Sequence, residues 1–120
     1  QGMDDAVTRA RAYVNAGADG IMIHSRKKKP DEVFEFARIF RLDFPSVPLI
    51  CVPTSYNIVT EDELADHGFN IVIYANQLLR AAYPAMHRVA HEILLHGRSA
   101  EVDSQLMGIN EILTVIPGTR

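Results

Sequence analysis

The chain has little of what marks a disulfide scaffold, a membrane span or a nucleic-acid binder. It holds one cysteine, Cys51, in 120 residues. One thiol closes no internal bridge, fits a reducing compartment such as the cytoplasm, and excludes a disulfide-stapled fold. No apolar run approaches the ~18 residues that cross a bilayer, so no membrane association is expected. Nothing at the start reads as a signal peptide, with neither a basic nor an apolar leader region. Cations are not in excess either. Twelve Lys and Arg against fifteen Asp and Glu leave a formal charge of −3, a poor balance for holding nucleic acid through its phosphates. There is no glycine-rich phosphate loop, no Ser/His/Asp order suited to a triad and no pair of carboxylates at a strand end. No low-complexity stretch or linker divides the chain, and its length fits one domain at most.

What is present is an alternation of two periodicities. Residues 4–16 place Ala6, Val7, Ala10 and Val14 at helical spacing, with Gly17 as a stop. A short apolar run, Gly20-Ile21-Met22-Ile23, then ends at His24-Ser25; its length and β-branching predict a buried strand. Pro30 suits a first helical position, and Val33, Phe36, Ala37 and Phe40 mark the face of a second helix. Residues 48–52 form a second strand, ending at Pro53-Thr54-Ser55-Tyr56. Thr60 and Glu63 have the spacing of a capping box, opening a short helix that stops near His67-Gly68. Residues 71–74 form a third strand ending at Ala75-Asn76, followed by a long helix over 77–96 ended by Gly97. A last helix is predicted over 104–114, stopped by Pro117-Gly118.

Strands separated by helices imply parallel pairing through crossover connections. The strands are almost wholly apolar, as expected where both faces are covered. Each ends in polar residues at its C-terminal edge, where parallel α/β folds carry their chemistry. Three strands are too few to close a sheet, and the opening helix has no strand before it. The expected class is therefore α/β. Residues 1–120 read as the C-terminal half of one (β/α)₈ barrel domain, three parallel strands with helices plus C-terminal helices, incomplete without the rest of a barrel of ~250 residues.

Four residues stand out at strand ends: His24, Ser25, Thr54 and Asn76. Each has a plain structural role open to it, as a loop opener, a turn hydroxyl or an N-cap; each also has a group able to bond an anionic oxygen. Arg26-Lys27-Lys28-Lys29 is the strongest charge run. It reads as a solvated loop, or as a source of positive potential over an anionic substrate. His87 and His91 share a helix face, but His91 to His96 is one residue longer than H-E-x-x-H, which puts that pair ~140° apart on the helix and argues against zinc. Cys51 lies within an apolar strand and reads as core.

Several stretches together resemble one family. They are Ala16-Gly17-Ala18-Asp19-Gly20-Ile21-Met22-Ile23-His24-Ser25, then Val52-Pro53-Thr54-Ser55-Tyr56, then Gly68-Phe69-Asn70-Ile71-Val72-Ile73-Tyr74-Ala75-Asn76 with Leu79-Arg80-Ala81-Ala82, and Glu111-Ile112-Leu113 near the end. The chain resembles the C-terminal half of the phosphoenolpyruvate mutase branch of the isocitrate lyase superfamily. That resemblance implies a (β/α)₈ barrel, often a tetramer with a swapped C-terminal helix, so a tetrameric or dimeric homo-oligomer is expected. It implies interconversion of phosphoenolpyruvate and phosphonopyruvate, the step that makes the carbon–phosphorus bond of phosphonates. Mg²⁺ is the implied cofactor, with acidic ligands in the missing N-terminal half; the mobile loop that closes over substrate also belongs there. By motif position, His24 becomes the firmest candidate for a catalytic substrate contact, with Ser25, Thr54 and Asn76 as further substrate-binding residues. The chain by itself is expected to be inactive. The same half-barrel also suits a phosphonopyruvate hydrolase, a carboxyphosphonate-handling mutase or a carbon–carbon lyase acting on methylisocitrate or oxaloacetate. Outside enzymes, the alternatives are a small α/β binding or regulatory module and an interaction piece built on the long helix.

Overall fold

The computed structural model describes residues 2–115 and Gly118. The chain divides into two compact units, Gln1–Ala75 and Asn76–Arg120.

The first unit alternates helix and strand: α1 (Met3–Asn15), β1 (Ile21–Ile23), α2 (Asp31–Asp43), β2 (Leu49–Cys51), α3 (Glu61–Asp66) and β3 (Ile71–Val72). The strands form one parallel sheet in the order β1-β2-β3. Ile21 pairs with Leu49 and Ile23 with Cys51, while Cys51 pairs with Val72. The observed strands are shorter than the apolar runs that mark them, although the Ile73 N–H still bonds the Cys51 carbonyl at 2.9 Å.

The helices start and stop where local chemistry dictates. Gly17, at φ +100°, turns the chain out of α1. Pro30 sits one residue before α2 with helical backbone angles, and its carbonyl accepts from the Val33 and Phe34 N–H groups. Thr60 and Glu63 form the expected capping box: Thr60 Oγ1 accepts from the Glu63 N–H at 3.2 Å, and Glu63 Oε2 accepts from the Thr60 N–H at 2.8 Å. Those donors hold the Glu63 carboxyl below its ordinary range, the Thr60 backbone N–H contributing most.

The core lies on one face of the sheet. Ile21, Leu49 and Cys51 pack with Val7 and Ala10 of α1, Val33, Phe36, Ala37 and Phe40 of α2, and Leu64 of α3. Apolar residues at three- and four-residue spacing on α1 and α2 supply this face. The other face is not covered by the described residues of this unit, contrary to the expectation from the all-apolar strands. Met22 is 60% exposed and Ile71 47%, and with Ile50 they form one row across the sheet. A row of apolar side chains on the uncovered face is what an inner barrel wall presents when the facing strands lie outside the chain. Beside β1, an edge strand, an apolar trough of 310 Å³ runs between Ala6, Ala10 and Tyr13 of α1 and Ile21 to Ile23.

The second unit holds α4 (Gln77–His96), a 3₁₀ turn over Ala100–Gln105 and α5 (Ile109–Ile112). Gly97 ends α4 in the left-handed region at φ +65°, as glycine does at helix C-termini. Pro84 lies inside α4. Val102 of the 3₁₀ turn is buried, whereas no residue of α4 is. The helix expected over 104–114 is broken. Gly108 separates the 3₁₀ turn from one turn of α-helix, with φ −57° and ψ 142°. The expected stop at Pro117-Gly118 lies partly outside the described residues.

Candidate active-site edge

His24 follows the last residue of β1 and is exposed. It lines a cleft of 560 Å³ at the C-terminal end of that strand, together with Gly2, Met3, Arg9, Lys27 and Glu32. The cleft sits where the start of α1, the end of β1 and the start of α2 meet. Parallel strands point their C-terminal ends to one edge, so the loops that follow them gather there.

Ser25 is differently placed from its neighbours. It is 3% exposed, the one polar residue among the described buried ones. Its Oγ donates to Glu32 Oε1 at 2.8 Å and accepts from the Lys27 N–H at 3.1 Å. Lys27 Nζ in turn pairs with the other Glu32 oxygen, Oε2. The bond from the Lys27 ammonium, then that from the Ser25 hydroxyl, hold the Glu32 carboxyl below its ordinary range, and Glu32 raises Lys27 above its own. A serine hydroxyl bonded two residues along the backbone is a turn device. It closes the loop directly after His24.

Thr54 follows β2. Its N–H bonds the Val52 carbonyl at 2.8 Å, a three-residue turn that reverses the chain at the strand end. Its hydroxyl has no hydrogen-bond partner among the described residues. Nearby, Tyr56 is fully buried. Burial and the neighbouring Cys51 push that phenol up to about 12. Burial pushes the Cys51 thiol up to about 11, so it behaves as a small apolar group and not as a nucleophile.

Asn76 opens the second unit as the residue before α4, the N-cap position. Its side chain makes no capping bond. Its Oδ1 is enclosed and has no partner, while its backbone N–H bonds Gln77 Oε1 at 3.1 Å. An asparagine that occupies a cap position without capping leaves its amide free for another partner.

Among the described residues, no three His, Cys, Asp or Glu side chains come together to hold a metal ion. Two of the α4 histidines lie near Glu92 instead, His96 Nε2 at 3.3 Å and His91 Nδ1 at 3.7 Å, and His87 stacks with Tyr83. No helix of the described residues is long and apolar enough to cross a membrane. Sequence reading missed Glu32, because a carboxylate in the first turn of a helix is too common to signal a tie to a residue seven positions earlier.

A family model described as phosphoenolpyruvate phosphomutase matches residues 1–94. A phosphonopyruvate hydrolase from Variovorax sp. (strain Pal2) is 43% identical over 93% of this chain, which spans 38% of that protein. A phosphoenolpyruvate phosphomutase from Tetrahymena pyriformis is 35% identical over 92% of the chain, which spans 36% of it. The crystal structure of a phosphoenolpyruvate phosphomutase from Streptomyces platensis subsp. rosaceus matches 93% of this chain with a TM-score of 0.83 at 31% identity, over 38% of its own length. A phosphonopyruvate hydrolase crystallised with oxalate and Mg²⁺ matches with a TM-score of 0.78 at 43% identity. The chain thus spans between a third and two fifths of the length of these relatives, and its three parallel strands and helices form part of their barrel fold. A match over most of the chain makes it a member of the phosphoenolpyruvate phosphomutase family.

Proposed function

We propose that the complete protein carrying this chain is a phosphoenolpyruvate phosphomutase, and that this chain is the C-terminal half of its single barrel domain. The observation that carries the reading is the family match over residues 1–94, joined to polar groups without partners at the strand ends. The reaction moves a phosphoryl group within one molecule. The bond from phosphorus to C3 of phosphonopyruvate breaks, a bond from phosphorus to the C2 oxygen forms, and the electron pair left on C3 becomes the enol double bond of phosphoenolpyruvate. No proton or co-reactant is consumed. Such a transfer depends on positioning and on neutralising oxygen charge more than on covalent help.

In this reading His24 donates an imidazole N–H to a carboxylate or phosphoryl oxygen. The Thr54 hydroxyl and the Asn76 amide donate to others, and Ser25 serves through the loop that it closes. Arg26, Lys28 and Lys29 raise the potential over the edge for a polyanionic substrate. Mg²⁺ belongs to this chemistry, and in this reading its acidic ligands stand on the part of the protein outside this chain. The apolar side of α4 serves a homo-oligomer, a tetramer or dimer, and the protein works in the cytoplasm.

A second reading, phosphonopyruvate hydrolase, is favoured by one observation: identity is 43% to a hydrolase against 35% to a mutase. There a water oxygen attacks phosphorus, and C3 takes a proton to give pyruvate. Phosphorus NMR of the complete protein with phosphonopyruvate and Mg²⁺ separates the two. A growing phosphate-ester signal of phosphoenolpyruvate supports the mutase. Free phosphate with stoichiometric pyruvate supports the hydrolase, and an unchanged phosphonate signal removes both, leaving a carbon–carbon lyase of the same superfamily.

A further inference from the structure

His24 is exposed, and a side chain on an exposed loop has several rotamers open to it. The residues that follow it are, by contrast, tied down. Ser25 is buried, donates to Glu32 Oε1 at 2.8 Å and accepts from the Lys27 N–H at 3.1 Å. Glu32 completes the ring by pairing through Oε2 with the Lys27 ammonium. Three residues, the outer two seven apart in sequence, thus form a closed set of bonds, anchored in the second residue of α2, where a carboxylate also lies at the positive end of the helix dipole. The anchor is rigid, because the next turns of α2 bury Val33, Phe36 and Ala37 in the core. His24 and Glu32 line the same cleft.

We propose that Glu32 is a positioning residue for His24: through Ser25 it fixes the loop after β1, so that the imidazole stands at the substrate edge before substrate arrives. The inference rests on the reading of His24 as a substrate contact, but its geometric half stands apart from it. Contacts that orient a binding group are worth rate and affinity because misplacement by about an ångström costs much of the benefit. Glu32 itself touches no substrate in this scheme. Its negative charge is spent on Lys27 and the Ser25 hydroxyl, and this keeps an acceptor-only group from repelling an anionic ligand.

The test uses the complete protein with Glu32→Gln, which keeps the shape and removes the charge. The first readout is the imidazole NMR signal of His24 in the protein without substrate, assigned by its loss in His24→Ala. The expected result is a shifted or broadened His24 signal in Glu32→Gln, with the His67 and His87 signals unchanged. The second readout is kinetic: KM for phosphonopyruvate rises at least tenfold while kcat changes less, and Glu32→Gln added to His24→Ala costs less than a further twofold. An unmoved His24 signal overturns the inference, and so does a full multiplicative loss in the double variant. Should Glu32→Gln melt more than ten degrees early, Lys27→Met carries the same NMR test, with a smaller shift expected and an unmoved signal again counting against the inference. If His24→Ala leaves KM unchanged while Glu32→Gln still moves the His24 signal, the substrate reading of His24 falls and the positioning by Glu32 stands.

Discussion

Arg41, on α2, donates from Nε to the carbonyl of Gly68 at 3.1 Å, tying the second helix to the turn that precedes the third strand. The same guanidinium bonds the Val47 carbonyl at 2.7 Å and Asn70 Oδ1 at 2.6 Å, and that amide oxygen also accepts from the Leu49 N–H at 2.9 Å. One side chain thereby satisfies backbone acceptors at the N-terminal ends of β2 and β3. The expected outcome of Arg41→Ala is a loss of about 2–4 kcal/mol, from several charge-assisted bonds and the carbonyls left without donors. Chemical denaturation with an unchanged slope checks it, and a loss under about 0.5 kcal/mol would show that water replaces the guanidinium at little cost.

Gly68 adds a separate prediction. It sits at φ +88°, and a Cβ there would meet Arg41 Nε at 3.1 Å. Gly68→Ala should cost about 1–3 kcal/mol through backbone strain and a displaced guanidinium. Thermal melting beside Gly2→Ala, which meets nothing within 4 Å, gives the contrast.

The frame of this fold was readable because its signals are local. Short β-branched runs between helical periods marked all three strands, and Thr60 with Glu63 announced the start of α3. The C-terminal helix was misjudged for an equally local reason: Leu106, Ile109 and Leu113 keep a helical spacing across Gly108, and one glycine did not declare that the chain would break there. His24, Thr54 and Asn76 stand out as candidates by their place at strand ends. Glu32 and Arg41 do not, since their partners lie seven and up to 29 residues away and no local pattern records a bond that the tertiary fold creates. The open face of Met22, Ile50 and Ile71 was also missed, because an apolar strand reads alike whether its cover lies in the same chain or beyond it.

Alkaline pH should weaken the first unit. Burial raises Cys51 from 9.0 to about 11 and Tyr56 from 10.0 to about 12. A group whose folded pKa lies above its unfolded value stabilises the fold fully below the unfolded value, and that contribution is lost as pH rises through the folded one. Stability should therefore fall between about pH 9 and 12, and Cys51→Ala should flatten the lower part of that fall. The Cys51 thiol should react with a thiol reagent at pH 8 only after denaturant is added; rapid labelling of the native protein would contradict its burial.

The cations after His24 predict a salt-dependent rate. Lys28→Ala with Lys29→Ala should lower kcat/KM for phosphonopyruvate severalfold at low ionic strength and much less at 0.5 M salt, where the Debye length is only a few ångströms. Steady-state kinetics across salt concentrations checks this, and equal losses at both extremes would point to a direct contact instead of long-range attraction.

In the proposed reading this segment supplies the substrate-facing strand ends of a phosphonopyruvate-processing enzyme. Oxalate mimics the pyruvyl end of the substrate, and a related hydrolase has been crystallised with oxalate and Mg²⁺. Calorimetric titration of oxalate with Mg²⁺ into the complete protein, and into its His24→Ala, Thr54→Ala and Asn76→Ala variants, is the direct measurement. The expected result is binding by the parent and at least a tenfold weaker affinity in His24→Ala, with smaller losses at Thr54 and Asn76. Equal affinity in all four proteins would contradict it.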